Sequence, residues 1–200
     1  MKTGITGGIG SGKSYVCKLL AKRGIQVYDC DSEAKRLMRQ SPEIRHQLTE
    51  LIGSDTYIKE LDEQGQEVWI LNKAAVAQYL LANETNAKAI DAIVHPAVFN
   101  DFEQSGMLWM ESAIMFESGI NRLVDRIVVV TAPEEVRIER VMQRDGISRE
   151  KAKEWMARQW PQDKVRQLSD FEIVNDGHTD LEQQINDMIL ALSQQNIETT

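Results

Sequence analysis

The residues best suited to chemistry sit near the N-terminus. Gly7-Gly8-Ile9-Gly10-Ser11-Gly12-Lys13-Ser14 fits the pattern G-x-x-x-x-G-K-[ST] at every fixed position. Glycines let several backbone N–H groups in such a loop turn toward one anion. A helix starting directly after it adds partial positive charge at the same point. Lys13 then reaches the β- and γ-phosphates of a nucleotide, and the Ser14 hydroxyl holds Mg²⁺. The alternative is a glycine-rich turn that matches by accident. The flanks speak against it: an apolar run from Lys2 to Thr6 precedes the loop, and a helix-compatible run from Tyr15 to Arg23 follows.

Other charged groups fall where such a site needs them. Asp29 and Asp31 flank Cys30 at the end of a second apolar run, Ile25 to Tyr28. The carboxyl ends of strands line the ligand crevice of open α/β sheets, so these acids can stand beside the phosphates. Asp31 or Ser32 serves equally well as the N-cap of a helix from Glu33 to about Gln40, and both roles stay open. Glu111 ends the run Met107 to Met110, where a P-loop protein keeps the acid of its metal shell. A surface glutamate at a strand end is the plain alternative. His95 precedes Pro96, and a lone histidine more often packs or caps than binds. From Arg137 to Arg166 the chain is dense in arginine and lysine. That is either a solvated helical face or a mobile lid whose arginines close over phosphates. The phosphate loop favours the lid.

Strands are expected at 2–6, 25–29, 107–111, 126–131 and 171–174, alternating with helices. Arg126 to Thr131 is a continuous β-branched run of the kind buried on both faces of a parallel sheet. Ser41-Pro42 and Ser148 open helices, and Gly24 and Gly53 close them. Residues 54–68 read as a polar loop region, and 72–103 as helical with an interruption at His95-Pro96. Thr179 is expected to cap a terminal helix from Leu181 to Leu192, with a frayed tail over 193–200. The expected fold is a doubly wound α/β domain with a parallel sheet, carrying a helical insertion and a lid.

The 200 residues make one domain, hydrophobic enough at 42% to bury a core. A net charge of −8 argues against a nucleic-acid binder. Cys17 and Cys30 fit neither a zinc site nor C-x-x-C and read as core residues in a reducing compartment. No run of eighteen apolar residues occurs, and the chain starts directly in a strand. A cytoplasmic protein with no membrane partner is expected, as a monomer or weak homo-oligomer.

A phosphate loop leaves two reaction classes open. One is a kinase acting on a small molecule, with a nucleoside monophosphate among the possible acceptors. The other is a hydrolytic switch or motor. A GTPase switch should carry N-K-x-D after a late strand, but Ala132-Pro133-Glu134-Glu135 follows Thr131. Small size, a basic lid and a helical insertion favour the kinase.

At this point the motifs carry a resemblance. Thr6 to Ser14, Val27-Tyr28-Asp29-Cys30-Asp31, His95-Pro96, Phe116-Glu117, Gln143-Arg144-Asp145, Ser148-Arg149-Glu150, Arg158-Gln159 and Ile173-Val174-Asn175-Asp176-Gly177 together resemble the dephospho-CoA kinase family along nearly the whole chain. The resemblance implies transfer of the ATP γ-phosphoryl group, with Mg²⁺, to the ribose 3′-hydroxyl of dephospho-CoA. It implies a nucleotide-kinase-like core at about 1–53, 107–136 and 167–200, a CoA-binding region at about 54–106 and a lid at about 137–166. For ATP it points to Gly8, Ile9, Gly10, Ser11, Gly12, Lys13, Ser14, Tyr15, Arg140 and Asn175, with Asn175 near the adenine. For the acceptor it points to Asp31, His95, Phe116, Glu117 and Arg144. Asp31 is the implied base or orienting group, and Lys13 and Arg140 the implied neutralisers of developing charge. The sequence departs from the family at Tyr15, where Thr is usual, and at Glu111-Ser112-Ala113-Ile114-Met115, where D-V-P-L-L is common.

Overall fold

The computed structural model describes residues 1–198. The elements run β1 (Thr3–Thr6), α1 (Lys13–Lys22), β2 (Val27–Asp29), α2 (Cys30–Gln40), α3 (Pro42–Ile52), β3 (Tyr57–Leu61), β4 (Glu67–Leu71), α4 (Lys73–Ala82) and α5 (Glu84–Ser105). They continue with β5 (Trp109–Glu111), β6 (Arg126–Thr131), α6 (Glu134–Asp145), α7 (Arg149–Met156), α8 (Gln162–Gln167), β7 (Phe171–Val174) and α9 (Leu181–Glu198). The chain divides into two compact units, 1–29 with 106–200 and 30–105. The sequence division kept 30–53 with the core, whereas packing groups these residues with the second unit.

In the first unit five strands form a parallel sheet in the order β2-β5-β1-β6-β7. Side chains alternate across a strand, so Ile5, Val128, Val130 and Ile173 face one layer and are fully buried. Val16, Leu19 and Leu20 of α1 and Ile185, Met188 and Leu192 of α9 cover that layer. Removing such apolar surface from water contributes about 1.5–3 kcal/mol per large side chain. β1 is central, and so the loop that follows it starts from a strand paired on both sides, with β5 and β6.

The second unit holds α2 to α5 and a hairpin. Residues 57–71, which fall mostly in the expected polar loop of 54–68, form β3 and β4, paired antiparallel from Tyr57↔Leu71 to Leu61↔Glu67. The expected turn cluster is the hairpin tip: Asp62 accepts from the N–H groups of Gln64 and Gln66, and Gly65 takes φ 76°. The signal was faint because this ribbon is mostly exposed and lacks the buried-face alternation that marks a strand. The helix break also differs from expectation. It falls at Asn83, whose side chain accepts from Asn86 N–H, and α5 runs through Pro96. Arg36 of α2 grips Asp101 of α5 with two 2.7 Å bonds.

Smaller differences follow local chemistry. α2 starts at Cys30, which puts Asp31 in its first helical turn rather than at a cap. The helix opened by Ser148 stops at Met156, and Pro161 leads into α8. Asp180, not Thr179, accepts the first N–H groups of α9, from Glu182 and Gln183. That helix extends to Glu198 through the expected tail, whose last residues, 199 and 200, lie outside the described residues.

Candidate active site

The loop after β1 is built to present N–H groups. Ser11 N–H bonds to Gly8 O at 3.0 Å, and Ile9 N–H donates to the Gln159 side chain at 2.7 Å. The N–H groups of Gly10, Gly12, Lys13 and Ser14 make no such bond among the described residues. The last two open α1, where the first N–H groups have no intrahelical partner. Two glycines are required by conformation and by space together. Gly10 has φ +80°, and a Cβ there would come within 2.5 Å of Arg137 O. Gly12 has φ +86°, and a Cβ there would run into the Asn175 amide. The Ser11 hydroxyl is buried inside the loop without a hydrogen-bond partner. Ser14 is exposed, and its neighbour Tyr15 also faces solvent.

Beneath the loop, Lys13 forms a buried ion pair with Glu111. The sequence placed Glu111 at the carboxyl end of its strand, and it stands at the end of β5. Its register neighbours are Ile5 and Asp29, so both acids share the sheet face that α1 covers. Cys17 of α1 donates to Glu111 at 3.6 Å. Burial, and then the Glu111 charge, push the Cys17 thiol up to about 12.

Side chains of α6 brace the loop from its other flank. Arg137 is buried and donates Nε to Ile9 O at 2.9 Å. Burial pulls its pKa down, yet a guanidinium keeps its charge in a protein. Arg140 lies one turn on and reaches Gly10 O and Ser11 O at 3.4 Å. Its other Nη donates to Asn175 Oδ1 at 3.3 Å, while Asn175 Nδ2 donates to Ser11 O at 2.8 Å. The Asn175 amide thus bonds to the loop with Nδ2 and to Arg140, which also reaches the loop, with Oδ1. Arg144 is at the end of α6, exposed, with its guanidinium on Asp145.

Residues 159–165 close the third side. Gln159 Nε2 donates to Ala113 O at 3.4 Å while its Oε1 takes the Ile9 N–H. Trp160 N–H donates to Glu117 at 2.9 Å, and its ring stacks on Phe116 with centroids 6.1 Å apart. Lys164 places its ammonium over the Trp160 ring. Thr6, Gly8, Glu117, Arg137, Gln159 and Gln162 line a small polar cavity here.

The structure therefore brings Gly8 to Ser14, Arg140 and Asn175 together, with Phe116 and Glu117 one residue layer away through Gln159 and Trp160. Asp31 and His95 belong to the second unit. Asp31 is exposed on α2. His95 on α5 stacks against Phe99 and faces Asp91 at 3.6 Å. Sequence reading assigned no role to Gln159 and placed Arg137 in a mobile lid. The spacing of Arg137 and Arg140 held the missing signal, since i and i+3 share a helix face.

A parallel sheet whose central strand feeds such a loop, with basic side chains gathered on it, defines a P-loop kinase. The fold matches the shikimate kinase of Aquifex aeolicus at TM-score 0.53 over 98% of each chain, with 16% identity. It matches a Thermus thermophilus protein, TT1252, at TM-score 0.78 over 96% of each chain, with 28% identity. The family model described as Dephospho-CoA kinase matches residues 1–180. A dephospho-CoA kinase of Bacteroides fragilis is 39% identical over 97% of this chain and 94% of its own. The chain belongs to the dephospho-CoA kinase family.

Proposed function

We infer that the protein transfers the γ-phosphoryl group of ATP to the ribose 3′-hydroxyl of dephospho-CoA, giving coenzyme A and ADP. The observation that carries the transfer is the loop itself: four of its N–H groups make no backbone bond among the described residues, and it leads into Lys13 at the start of α1. Family membership supplies the acceptor.

The N–H groups of Gly10, Gly12, Lys13 and Ser14 hold the β- and γ-phosphates. Bound phosphates replace Glu111 as the counter-charge of Lys13. Arg140, already on the loop carbonyls, turns its guanidinium to the transferring group. Phosphoryl transfer asks for positioning and charge stabilisation more than for covalent work by the protein. Asp31 orients the acceptor hydroxyl and takes its proton. His95, Phe116, Glu117 and Arg144 receive the remainder of the acceptor.

A divalent metal fits the residues present. Among the described residues no group of three or more His, Cys, Asp or Glu is placed to hold an ion. That suits Mg²⁺, which prefers substrate phosphates, water and one or two protein oxygens to an all-protein cage. The Ser14 hydroxyl, which is exposed, would hold the metal, with Glu111 acting through water. When bound, the metal would supply charge neutralisation for the transferring phosphates.

The test is a coupled assay of ADP release with dephospho-CoA set against a panel of nucleosides and nucleoside monophosphates. Release that depends on dephospho-CoA is expected. Release that answers a nucleoside monophosphate and ignores dephospho-CoA would overturn the acceptor.

A further inference from the structure

Ile9 is the one loop residue whose peptide groups are both held by side chains from elsewhere in the first unit. Its carbonyl accepts from Arg137 Nε at 2.9 Å, and its N–H donates to Gln159 Oε1 at 2.7 Å. The side chain of Ile9 adds a third restraint by packing on the α6–α7 core of Ile138, Val141 and Ala152. Among the N–H groups that follow, those of Gly10, Gly12, Lys13 and Ser14 are left for phosphates, while Ser11 N–H bonds to Gly8 O. A peptide plane fixed at Ile9 sets the direction from which the chain enters that nest. Gln159 does this from a segment tied elsewhere as well. Its Nε2 donates to Ala113 O at 3.4 Å, and the next residue, Trp160, holds Glu117 and stacks on Phe116.

We propose that Gln159 is a positioning residue for phosphoryl transfer: it bridges Ile9 N–H and Ala113 O, and so locks the phosphate loop in register with the 113–117 turn. It touches no reacting atom and acts through the loop. The inference rests on the kinase reading. An acceptor bond at Ile9 alone would let the loop keep its shape without sensing the turn. The two-ended amide joins them, and the stacked Trp160 keeps that amide in place.

Two variants separate this role from simple packing. Gln159→Met keeps the length and apolar stem but removes both bonds. Gln159→Glu keeps an acceptor oxygen for Ile9 N–H, with the Arg137 guanidinium near enough to balance its charge. A misplacement of reacting groups by about 1 Å can cost up to about 10²-fold in rate. For Gln159→Met the expected result is a fall in kcat of about tenfold, with a severalfold rise in KM for ATP. The KM for dephospho-CoA should hold. Gln159→Glu keeps the Ile9 bond but cannot donate to Ala113 O, so kcat should recover only in part and stay below the wild type. Both are measured below the melting temperature of each variant, beside ADP affinity by calorimetry. ADP affinity should fall in the Met variant and return in the Glu variant, whatever the acceptor proves to be. Wild-type kcat and ADP affinity in Gln159→Met would overturn the proposal, and so would equal impairment of the two variants. A wild-type protein that ignores dephospho-CoA would instead overturn the acceptor and leave the ADP titration to decide on Gln159.

Discussion

The phosphate end of the first unit and the residues assigned to the acceptor in the second are built in opposite ways. Lys13, Glu111, Arg137 and Asn175 are 9%, 7%, 7% and 6% exposed, and each is bonded to the loop or to a group that is. Asp31 is exposed, and the side chain of His95 keeps a quarter of its surface. Arg144, on α6 of the first unit and also proposed for the acceptor, is more open still, at 61% for its side chain. Preorganised donors cost no rearrangement when charge moves onto the phosphates. Exposed polar side chains, by contrast, must be ordered by the substrate itself. On the proposed assignment the donor side is a largely finished cradle, in which Lys13 and Arg140 need only exchange partners, and the acceptor side is completed by what it binds.

The largest effect that can break this contrast lies at Asp31. Asp31→Asn should lower acceptor-dependent turnover by about 10²–10⁴, the range of a general base, while ATP affinity holds. Melting should not change, because the carboxylate is exposed in the first turn of α2. If Asp29→Asn abolishes turnover and Asp31→Asn does not, the base is the half-buried acid beside Glu111, and the acceptor chemistry is preorganised too.

Lys13 comes next. Lys13→Ala should cost about 10²–10³ in turnover, the usual loss for one preorganised charge contact. It should also destabilise the fold by about 3 kcal/mol, because Glu111 is left buried without its partner. Adding Glu111→Gln removes that buried charge. The double variant should therefore melt near the wild type and remain slow. A double variant as unstable as Lys13→Ala would mean the lysine stem, not the ion pair, holds this region.

Much of the donor side was legible because its chemistry is local in sequence. Gly7 to Ser14 fixes the loop, and the β-branched run 126–131 fixes a central strand. Ser41 and Ser148 cap their helices as their types demand, accepting from Ile44 and Lys151 N–H. What stayed hidden depends on residues far apart in the chain. Nothing near Gln159 announces that its amide meets Ile9, 150 positions away. The resemblance pointed Asn175 toward ATP, but nothing in its neighbours announces that its amide bonds to Ser11 O. The β3–β4 hairpin lacked the one-sided burial by which a strand is recognised, and the polar residues of its tip were read as the whole segment.

Two smaller effects sharpen the comparison. We propose that residues 137–166 form a lid; its amides should gain hydrogen-exchange protection with ATP and acceptor bound. The gain should concentrate in α7, because Arg137 and Gln159 are already bonded to the loop. Equal protection in both states would make the segment a fixed charged face. Cys17 probes the finished cradle at the scale of one thiol. Its pKa near 12 keeps it protonated at pH 8, so native protein should resist iodoacetamide there and react once unfolded. The unfolded thiol ionises near 9 and the folded one near 12, so this group's contribution to stability falls as pH rises across that window. Rapid alkylation of Cys17 in the native state would show that the cradle opens.

The most direct measurement follows the phosphorus. Wild-type protein is incubated with ATP labelled in the γ-phosphate, Mg²⁺ and dephospho-CoA, and the product is read by mass and by ³¹P NMR. The account predicts stoichiometric ADP and a single new phosphomonoester on the ribose 3′-oxygen, identical to coenzyme A. Label recovered as free phosphate, with dephospho-CoA unchanged, would contradict it.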